Sequence, residues 1–224
     1  MVYRLTCLIC RIVFKLGFRW KVEGRENILK EGPLIVVANH TSVLDGFVLV
    51  AAVGRRVTFF SSAHLFKRPV VGWFLKRVGS LQVNSERQVD IKSIKRALQL
   101  LANEKAMALF PEGKVSVDGT LKEGNFGAAF LAAKSGAFIL PLAIKGAYEA
   151  LPVGKKILSF SKITVKIGKP FQLTDRKTDR ESLNRATQQI MQKLAELLNV
   201  SSEDDEGIIN CPTHEGAEKD RKSL

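Results

Sequence analysis

The chain has no apolar run long enough to cross a bilayer. Its longest stretch without Asp, Glu, Lys or Arg covers residues 32–44, which is thirteen residues, whereas a spanning helix needs about 18 or more. The sequence therefore predicts no transmembrane helix. Arg4 and Arg11 interrupt the apolar segment at the N-terminus, and no small-residue cleavage site follows it, so the sequence also predicts no signal peptide.

Cysteine and metal-binding patterns are scarce. The chain has 3 cysteines, too few for a disulfide framework. Cys7 and Cys10 form a C-x-x-C pair, but the pair lies in an apolar segment without a second pair, so we interpret both as small apolar residues. No His, Cys or Asp cluster has ligand spacing, so no metal is predicted. Zinc-finger spacing, RNP-type aromatic patterns and a basic zipper are also missing, which argues against a nucleic-acid partner.

Acidic residues are outnumbered through most of the chain. The 35 Lys and Arg residues against 22 Asp and Glu residues give a net charge of +13. Residues 201–224 carry a net −4, which leaves +17 on residues 1–200. A basic body favours polyanionic partners: nucleic acid, an anionic membrane or phosphorylated substrates. The composition of residues 201–224, polar and acidic, predicts a disordered tail.

Short apolar runs alternate with helical patterns over residues 21–200. The alternation indicates an α/β fold, a layered mixed sheet flanked by helices, and the length suits one domain. The periodicity predicts strands at residues 20–22, 34–38, 55–61, 80–83, 106–110, 136–144 and 163–167, and helices at residues 43–53, 89–102, 126–134 and 179–198.

Residues 1–20 predict an additional helix with an unusually wide apolar surface. Apolar side chains occupy most of its circumference, and bases form one narrow stripe, Arg4, Arg11, Lys15 and Arg19. Such a helix can lie in the plane of an anionic bilayer or pack on the protein core. We favour the membrane, because the apolar arc is wider than one core contact needs. Residues 64–78, where aromatics alternate with bases, suit a membrane interface, an acyl-chain entry or nucleic acid.

His40 and Asp45 lie where the predicted strand 34–38 feeds the predicted helix 43–53. Sites in α/β sheets are commonly found at such junctions. If the loop folds His40 back over the first helical turn, Asp45 can fix the imidazole tautomer and leave the other ring nitrogen to take a proton from a hydroxyl. Ser42 and Asp45 also fit a capping box, and His40 can be an ordinary strand-end histidine. This stretch alone supports both interpretations equally.

A second predicted strand, 106–110, runs directly into Pro111-Glu112-Gly113-Lys114. Pro111 ends the strand, and Gly113 permits backbone angles that other residues avoid. Glu112 and Lys114 are then held at the same edge of the sheet. Taken alone, an ordinary turn with a solvated Glu and Lys is the better interpretation.

The two loops together resemble the glycerolipid acyltransferases, in particular the 1-acylglycerol-3-phosphate acyltransferases. The resemblance rests on four blocks in order and covers about residues 20–170: Asn39–Asp45, Gly72–Gly79, Phe110–Gly113 and Ile139–Gly146. It implies an α/β fold, with the site at the sheet edge against the cytoplasmic face of a membrane, in a monotopic or peripheral protein. The domains are then a membrane-associating helix 1–20, an acyltransferase domain 21–200 and the tail.

The resemblance also implies roles for individual residues. His40 is the general base and Asp45 its orienting partner. Other residues bind substrate: Glu112 and Gly113 shape the acceptor pocket, Arg77 and Lys114 contact the acceptor phosphate, and Pro141 lines the acyl-donor side. The family commonly continues Glu-Gly with Thr-Arg-Ser, whereas this chain has Lys114-Val115-Ser116. Lys supplies charge without a bidentate fork, so Lys114 departs from the family pattern at this position.

The expected reaction is transfer of a fatty acyl group from a thioester to the sn-2 hydroxyl of lysophosphatidate, giving phosphatidate. The co-substrate is acyl-CoA or acyl carrier protein, no cofactor is required, and anionic membrane lipids are the expected partners. A G-x-S-x-G nucleophile motif is absent. Two alternatives stay open. One is an acyltransferase or transacylase for another lysophospholipid, since Pro-Glu-Gly-Lys-Val also resembles tafazzin-type transacylases. The other is a non-catalytic peripheral membrane protein that binds anions.

Overall fold

The computed structural model describes residues 2–83, 91–155 and 157–199. The disordered tail predicted at 201–224 and the first two residues of the helix predicted at 89–102 lie outside the described residues. In chain order the elements are α1 (Val2–Gly17), β1 (Lys21–Glu23), β2 (Leu34–Ala38), α2 (Asp45–Val53), β3 (Val57–Ser62), α3 (Pro69–Val78), β4 (Leu81–Val83), α4 (Ile91–Ala102), β5 (Ala106–Leu109), α5 (Gly127–Ser135), β6 (Phe138–Lys145), α6 (Ala147–Ala150), β7 (Thr164–Ile167) and α7 (Arg180–Asn199).

The strands form one mixed sheet in the order β1-β7-β6-β2-β5-β3-β4. β2 lies in the middle and pairs in parallel with both neighbours, so that Val36 lies opposite Ala108 of β5 and Leu140 of β6. β7 runs antiparallel to β6. The predicted layered α/β fold is confirmed.

Helices cover both faces of the sheet, which explains why β2 is apolar at every position. Val36 belongs to a core shared with α1, α2 and α3. Its neighbours Ile35 and Val37 belong to a second core shared with α4, α5 and α7. Successive strand residues point to opposite faces. A strand without alternation therefore indicates burial on both sides, as in parallel sheets generally.

α1 buries one face and exposes the other. Cys7, Cys10, Phe14 and Phe18 are buried in the core that includes α2 and α3, and both cysteines are free. The packing interpretation of this helix is therefore correct for one face, and the two cysteines act as small apolar residues. The opposite face exposes a row of large apolar side chains: Leu5, Leu8, Ile9, Ile12, Val13 and Leu16. Within the described ranges, no helix is both long and apolar enough to span a membrane.

The parallel strands place several loops at one edge of the sheet. β2, β3, β5 and β6 all run in the same direction, so the residues that follow them lie at the same carboxyl edge. These are the His40 loop after β2, the Pro111–Lys114 loop after β5, and the short helix α6 after β6. Hydrophobic periodicity does not predict α6, which has only four residues.

Candidate active site

One oxygen of Asp45 organises the turn between β2 and α2. Asp45 is the first residue of α2 and is completely buried. Its Oδ2 accepts hydrogen bonds from the backbone N–H groups of Thr41, at 2.6 Å, and Ser42, at 2.8 Å. The same oxygen lies 2.9 Å from Nδ1 of His40. The loop thus folds the imidazole back onto the carboxylate across the strand–helix junction.

This geometry sets the tautomer of His40. Oδ2 receives two backbone donors and acts as an acceptor, so Nδ1 of His40 carries a hydrogen and donates it to Asp45. The other ring nitrogen, Nε2, then presents a lone pair. The side chain of His40 remains 18% exposed while that of Asp45 is 0% exposed. A partly open base supported by a buried carboxylate can accept a proton from a substrate hydroxyl.

Phe110 supports the other side of the imidazole. Its ring stacks on His40 with the ring centroids 3.9 Å apart and the planes 13° from parallel. Phe110 ends the β5 run and is itself packed against the core. The stacked ring and the Asp45 bond together restrict both the plane and the direction of the imidazole.

Glu112 joins the two loops. One oxygen of its carboxylate accepts the backbone N–H of His40 at 2.7 Å, and the other accepts the backbone N–H of Lys122 at 3.1 Å. Burial raises the pKa of Glu112, although these two hydrogen bonds oppose the increase. The carboxylate is thus engaged with the backbone beside His40, and it positions the base whether or not it also faces an acceptor pocket.

Two contacts that the sequence analysis missed hold the same loops. The buried amide of Asn39 donates to the carbonyl of Ile144 and accepts from the Ile144 N–H, at 2.9 and 2.8 Å, which fastens the end of β2 to β6. The carbonyl of His40 accepts the N–H of Ser116 at 2.7 Å. A polar Asn directly after an apolar strand indicates a buried polar contact in the sequence. The sequence does not reveal its partner, Ile144, which lies 105 residues away.

Gly113 and Lys114 follow Glu112 in the same loop. Gly113 has φ 72°, and a Cβ there would stand 2.5 Å from Nδ2 of Asn125, so the turn requires glycine, as its position predicted. The Asn125 amide in turn donates to the carbonyl of Glu112 at 3.1 Å. Lys114 is exposed. The structure therefore brings Lys114 to the edge that holds His40.

Arg77 and Pro141 lie in different surroundings. Arg77 is in the last turn of α3, where its guanidinium lies over the ring of Trp73 at 5.5 Å. Among the described residues, no contact joins it to the His40 loop. Pro141 is buried in the middle of β6, on the face covered by α7, where it packs against Gly168. The substrate contacts predicted for these two residues stay predictions.

Comparison with known proteins identifies the family. A family model described as Acyltransferase matches residues 19–145, more than half of the chain. The chain belongs to the Acyltransferase family. The match includes the His40 loop and the Glu112 loop, so the polar cluster described above lies within the acyltransferase domain. The resemblance predicted from the sequence is confirmed.

Two curated relatives carry the same name, 1-acyl-sn-glycerol-3-phosphate acyltransferase. The chain is 32% identical over 158 residues to a chloroplastic 1-acyl-sn-glycerol-3-phosphate acyltransferase of Arabidopsis thaliana, an alignment covering 68% of this chain and 44% of the relative. It is 29% identical over 188 residues to the 1-acyl-sn-glycerol-3-phosphate acyltransferase of Saccharomyces cerevisiae, covering 81% and 62%. The chain thus spans less than two thirds of the length of either relative.

A solved structure matches the whole fold. The crystal structure of the 1-acyl-sn-glycerophosphate acyltransferase PlsC from Thermotoga maritima superposes with a TM-score of 0.72 and 26% sequence identity. The match covers 89% of this chain and 81% of that one. The sheet and its flanking helices are therefore shared with an enzyme of this class.

Proposed function

We propose that this protein is a 1-acylglycerol-3-phosphate acyltransferase, which transfers a fatty acyl group from acyl-CoA or acyl carrier protein to the sn-2 hydroxyl of lysophosphatidate. The observation that carries the proposal is the His40–Asp45 pair, held at the sheet edge with Nδ1 bound to the carboxylate. The family match and the names of the relatives support the substrate class. The basic body of the chain suits an acceptor that bears a phosphate.

The chemistry follows from the geometry of His40. A hydroxyl is a weak nucleophile near neutral pH, so Nε2 removes its proton as the oxygen attacks the thioester carbonyl. The tetrahedral intermediate collapses and expels the thiolate. The imidazolium returns the proton to that thiolate, so the products are a free thiol and phosphatidate. Asp45 stabilises the imidazolium while it exists, because its charge lies 2.9 Å from Nδ1.

Because the proposed substrate is a lipid, we propose that the enzyme works at a membrane and contacts it through α1. The outer row of α1 exposes Leu8, Ile12 and Leu16, and Arg4 and Lys15 are also exposed. Apolar side chains beside bases suit the interface of an anionic bilayer. The cytoplasmic face remains our proposal for the side of attachment.

A panel of acceptors tests the activity. The purified protein is incubated with one acyl-CoA and, separately, with lysophosphatidate, lysophosphatidylcholine, lysophosphatidylglycerol or glycerol 3-phosphate. We expect phosphatidate from lysophosphatidate, with one thiol released for each acyl group transferred. In a parallel incubation, a phospholipid replaces acyl-CoA as the acyl donor. Acyl exchange with the lysophospholipid there, without transfer from acyl-CoA, would instead establish the transacylase. Absence of acyl transfer from either type of donor would support the non-catalytic anion-binding protein.

Point substitutions are the better test of the exposed row of α1, because deleting the helix would also remove Cys10 and Phe14 from the core. Leu8→Ser, Ile12→Ser and Leu16→Ser together change only its exposed row. We expect the triple variant to leave anionic vesicles in a sedimentation assay while keeping its unfolding temperature. Unchanged sedimentation with vesicles would refute α1 as the membrane contact.

A further inference from the structure

A second apolar surface adjoins the end of α1. Ile157 is 83% exposed and Phe160 is 70% exposed, and Leu158 between them is also exposed. We call residues 157–160 the apolar segment. The ring of Phe160 contacts that of Phe18, with centroids 5.6 Å apart, and Phe18 directly follows α1. The Phe160 ring also approaches Gly17, so the apolar segment lies against the C-terminal end of α1.

Hydrogen bonds from within the apolar segment and from the residues just after it anchor it to the rest of the fold. The N–H of Ser159 donates to the carbonyl of Ala150 at 2.8 Å, and the N–H of Ile163 donates to the carbonyl of Phe18 at 3.2 Å. The hydroxyl of Ser161 donates to the carbonyl of Gly146 at 3.0 Å. A segment held by its backbone while its largest side chains face solvent presents those side chains in a defined place.

The same part of the chain is connected to the catalytic loop. The hydroxyl of Ser42 donates to the carbonyl of Leu151 at 2.8 Å, and Ser42 also donates its N–H to Asp45. The apolar segment thus lies on the chain that leaves β6 at the carboxyl edge and passes beside the His40 loop. Ser159 of the apolar segment binds Ala150, and the next residue, Leu151, binds Ser42 of the His40 loop.

We propose that the apolar segment is a second bilayer contact, which inserts Ile157 and Phe160 into the lipid leaflet beside α1 and sets the carboxyl edge of the sheet against that leaflet. The proposal rests on the proposed function, because lysophosphatidate and phosphatidate are lipids. Charge favours a bilayer over a second copy of the chain. The exposed bases Lys15, Arg19 and Lys155 lie near this surface in the chain and suit anionic headgroups, whereas a two-fold interface would bring like charges together.

A matched pair of substitutions tests the contact. Ile157→Ser removes the exposed side chain of the apolar segment, and Ile91→Ser removes a similarly exposed one, at 73%, from α4 on the opposite face of the sheet. Adding Phe160→Ser to Ile157→Ser removes both large exposed side chains. We expect this double variant to bind vesicles of phosphatidylcholine and phosphatidylglycerol about tenfold or more weakly than the parent. The control Ile91→Ser should bind as the parent does. Because the loss is apolar, it should persist at high salt. Equal binding by the double variant and the parent would overturn the proposal.

Fluorescence locates the contact directly. Ile157→Trp and Ile91→Trp add one tryptophan each to the same two native tryptophans. In vesicles that carry brominated acyl chains, Ile157→Trp should show additional quenching relative to the parent, and Ile91→Trp should show none. The same quenching in both variants would contradict insertion of the apolar segment.

Two further measurements separate the alternatives. If the apolar segment joins two copies of the chain, sedimentation velocity without lipid will show a dimer in the parent that the double variant loses, and this result overturns the bilayer contact. Acyl transfer to a short-chain, water-soluble lysophosphatidate should be the same in the double variant and the parent. A parent that binds vesicles through Ile157 but transfers no acyl group would refute the proposed function alone.

Discussion

The two carboxylates of the site and the two cations predicted to bind phosphate differ in how the protein holds them. Asp45 and Glu112 together accept hydrogen bonds from His40 Nδ1 and from the N–H groups of Thr41, Ser42, His40 and Lys122. Lys114 and Arg77 are exposed, and the contact that the structure gives Arg77 is with its neighbour Trp73. The protein itself therefore determines where the base points. Lys114 and Arg77 are not fixed in this way. Substitutions of the carboxylates should therefore have larger effects than substitutions of the cations.

The largest expected effect is that of His40→Ala. Removing the base should lower kcat at least about 100-fold, the usual scale for a general base, while the fold persists because the side chain is partly exposed. His64→Ala controls for the loss of an imidazole, because His64 lies outside the His40 loop, in a 3₁₀-helix at Ala63–Lys67. The measurement is kcat for acyl transfer with both lysophosphatidate and acyl-CoA at saturation. A turnover close to that of the parent in His40→Ala would eliminate the proposed mechanism.

Asp45→Asn should have the second-largest effect on turnover. An Asn oxygen in the place of Oδ2 can still accept from Thr41 and Ser42, so the turn should survive. The variant loses the charge that stabilises the imidazolium, and we expect kcat to fall about 10- to 100-fold. Within the described residues, Oδ1 of Asp45 is buried without a partner, so the new amide hydrogens also add a modest cost to stability. A variant that unfolds at the parent's temperature yet keeps full turnover would show that the charge is not used.

The elements that flank His40 and Asp45 could be predicted because they are local in sequence, whereas the choice of a His40–Asp45 pair over a capping box depended on the family resemblance. A strand that is apolar at each position, a polar turn and a helical run follow one another within twenty residues, and hydrophobic periodicity reads such patterns well. The predicted strand at 34–38 matches β2, and the predicted helix at 179–198 is shifted from α7 by one residue at each end.

The remaining contacts of the site could not be predicted because their partners are distant in sequence. Glu112 lies 72 residues from the His40 N–H that it accepts, and Asn39 lies 105 residues from Ile144. Hydrophobic periodicity does not show which distant loop supplies the N–H group that a side chain accepts. The resemblance associated Glu112 with the acceptor pocket, and the structure adds a bond to the backbone of His40 that motif spacing does not reveal.

Glu112→Gln tests whether that bond positions the base. A Gln side chain offers one oxygen and one NH2, so one of the two backbone N–H groups loses its acceptor. We expect a loss of about 1–3 kcal/mol in the free energy of unfolding and about a tenfold lower kcat, with a smaller change in the KM for lysophosphatidate. The exposed Glu26→Gln is the control. A change in KM alone would assign Glu112 to the acceptor pocket and not to the loop.

The pH dependence of stability in the parent and in Glu112→Gln gives a second test of this carboxylate. Burial raises the pKa of Glu112, so between the ordinary carboxyl pKa and this raised value the folded state binds more protons than the unfolded chain. Stability should therefore fall as pH rises through that window, and this decrease should be missing from Glu112→Gln. Urea denaturation of both proteins from about pH 4.5 upward measures the difference.

The smallest effects are expected for the cations, and they separate the two predicted phosphate contacts. Lys114 lies in the Glu112 loop at the edge that holds His40, whereas Arg77 lies at the end of α3 over Trp73. If closeness to the His40 edge determines which cation binds the phosphate, Lys114→Ala should raise the KM for lysophosphatidate about tenfold, the equivalent of ~1.4 kcal/mol. Arg77→Ala should raise this KM less. Lys114→Arg should preserve or improve phosphate use, because Arg can bind two phosphate oxygens. The KM for acyl-CoA should change much less in each variant. Equal losses with lysophosphatidate and lysophosphatidylcholine would show that neither cation selects the phosphate, and would favour the transacylase.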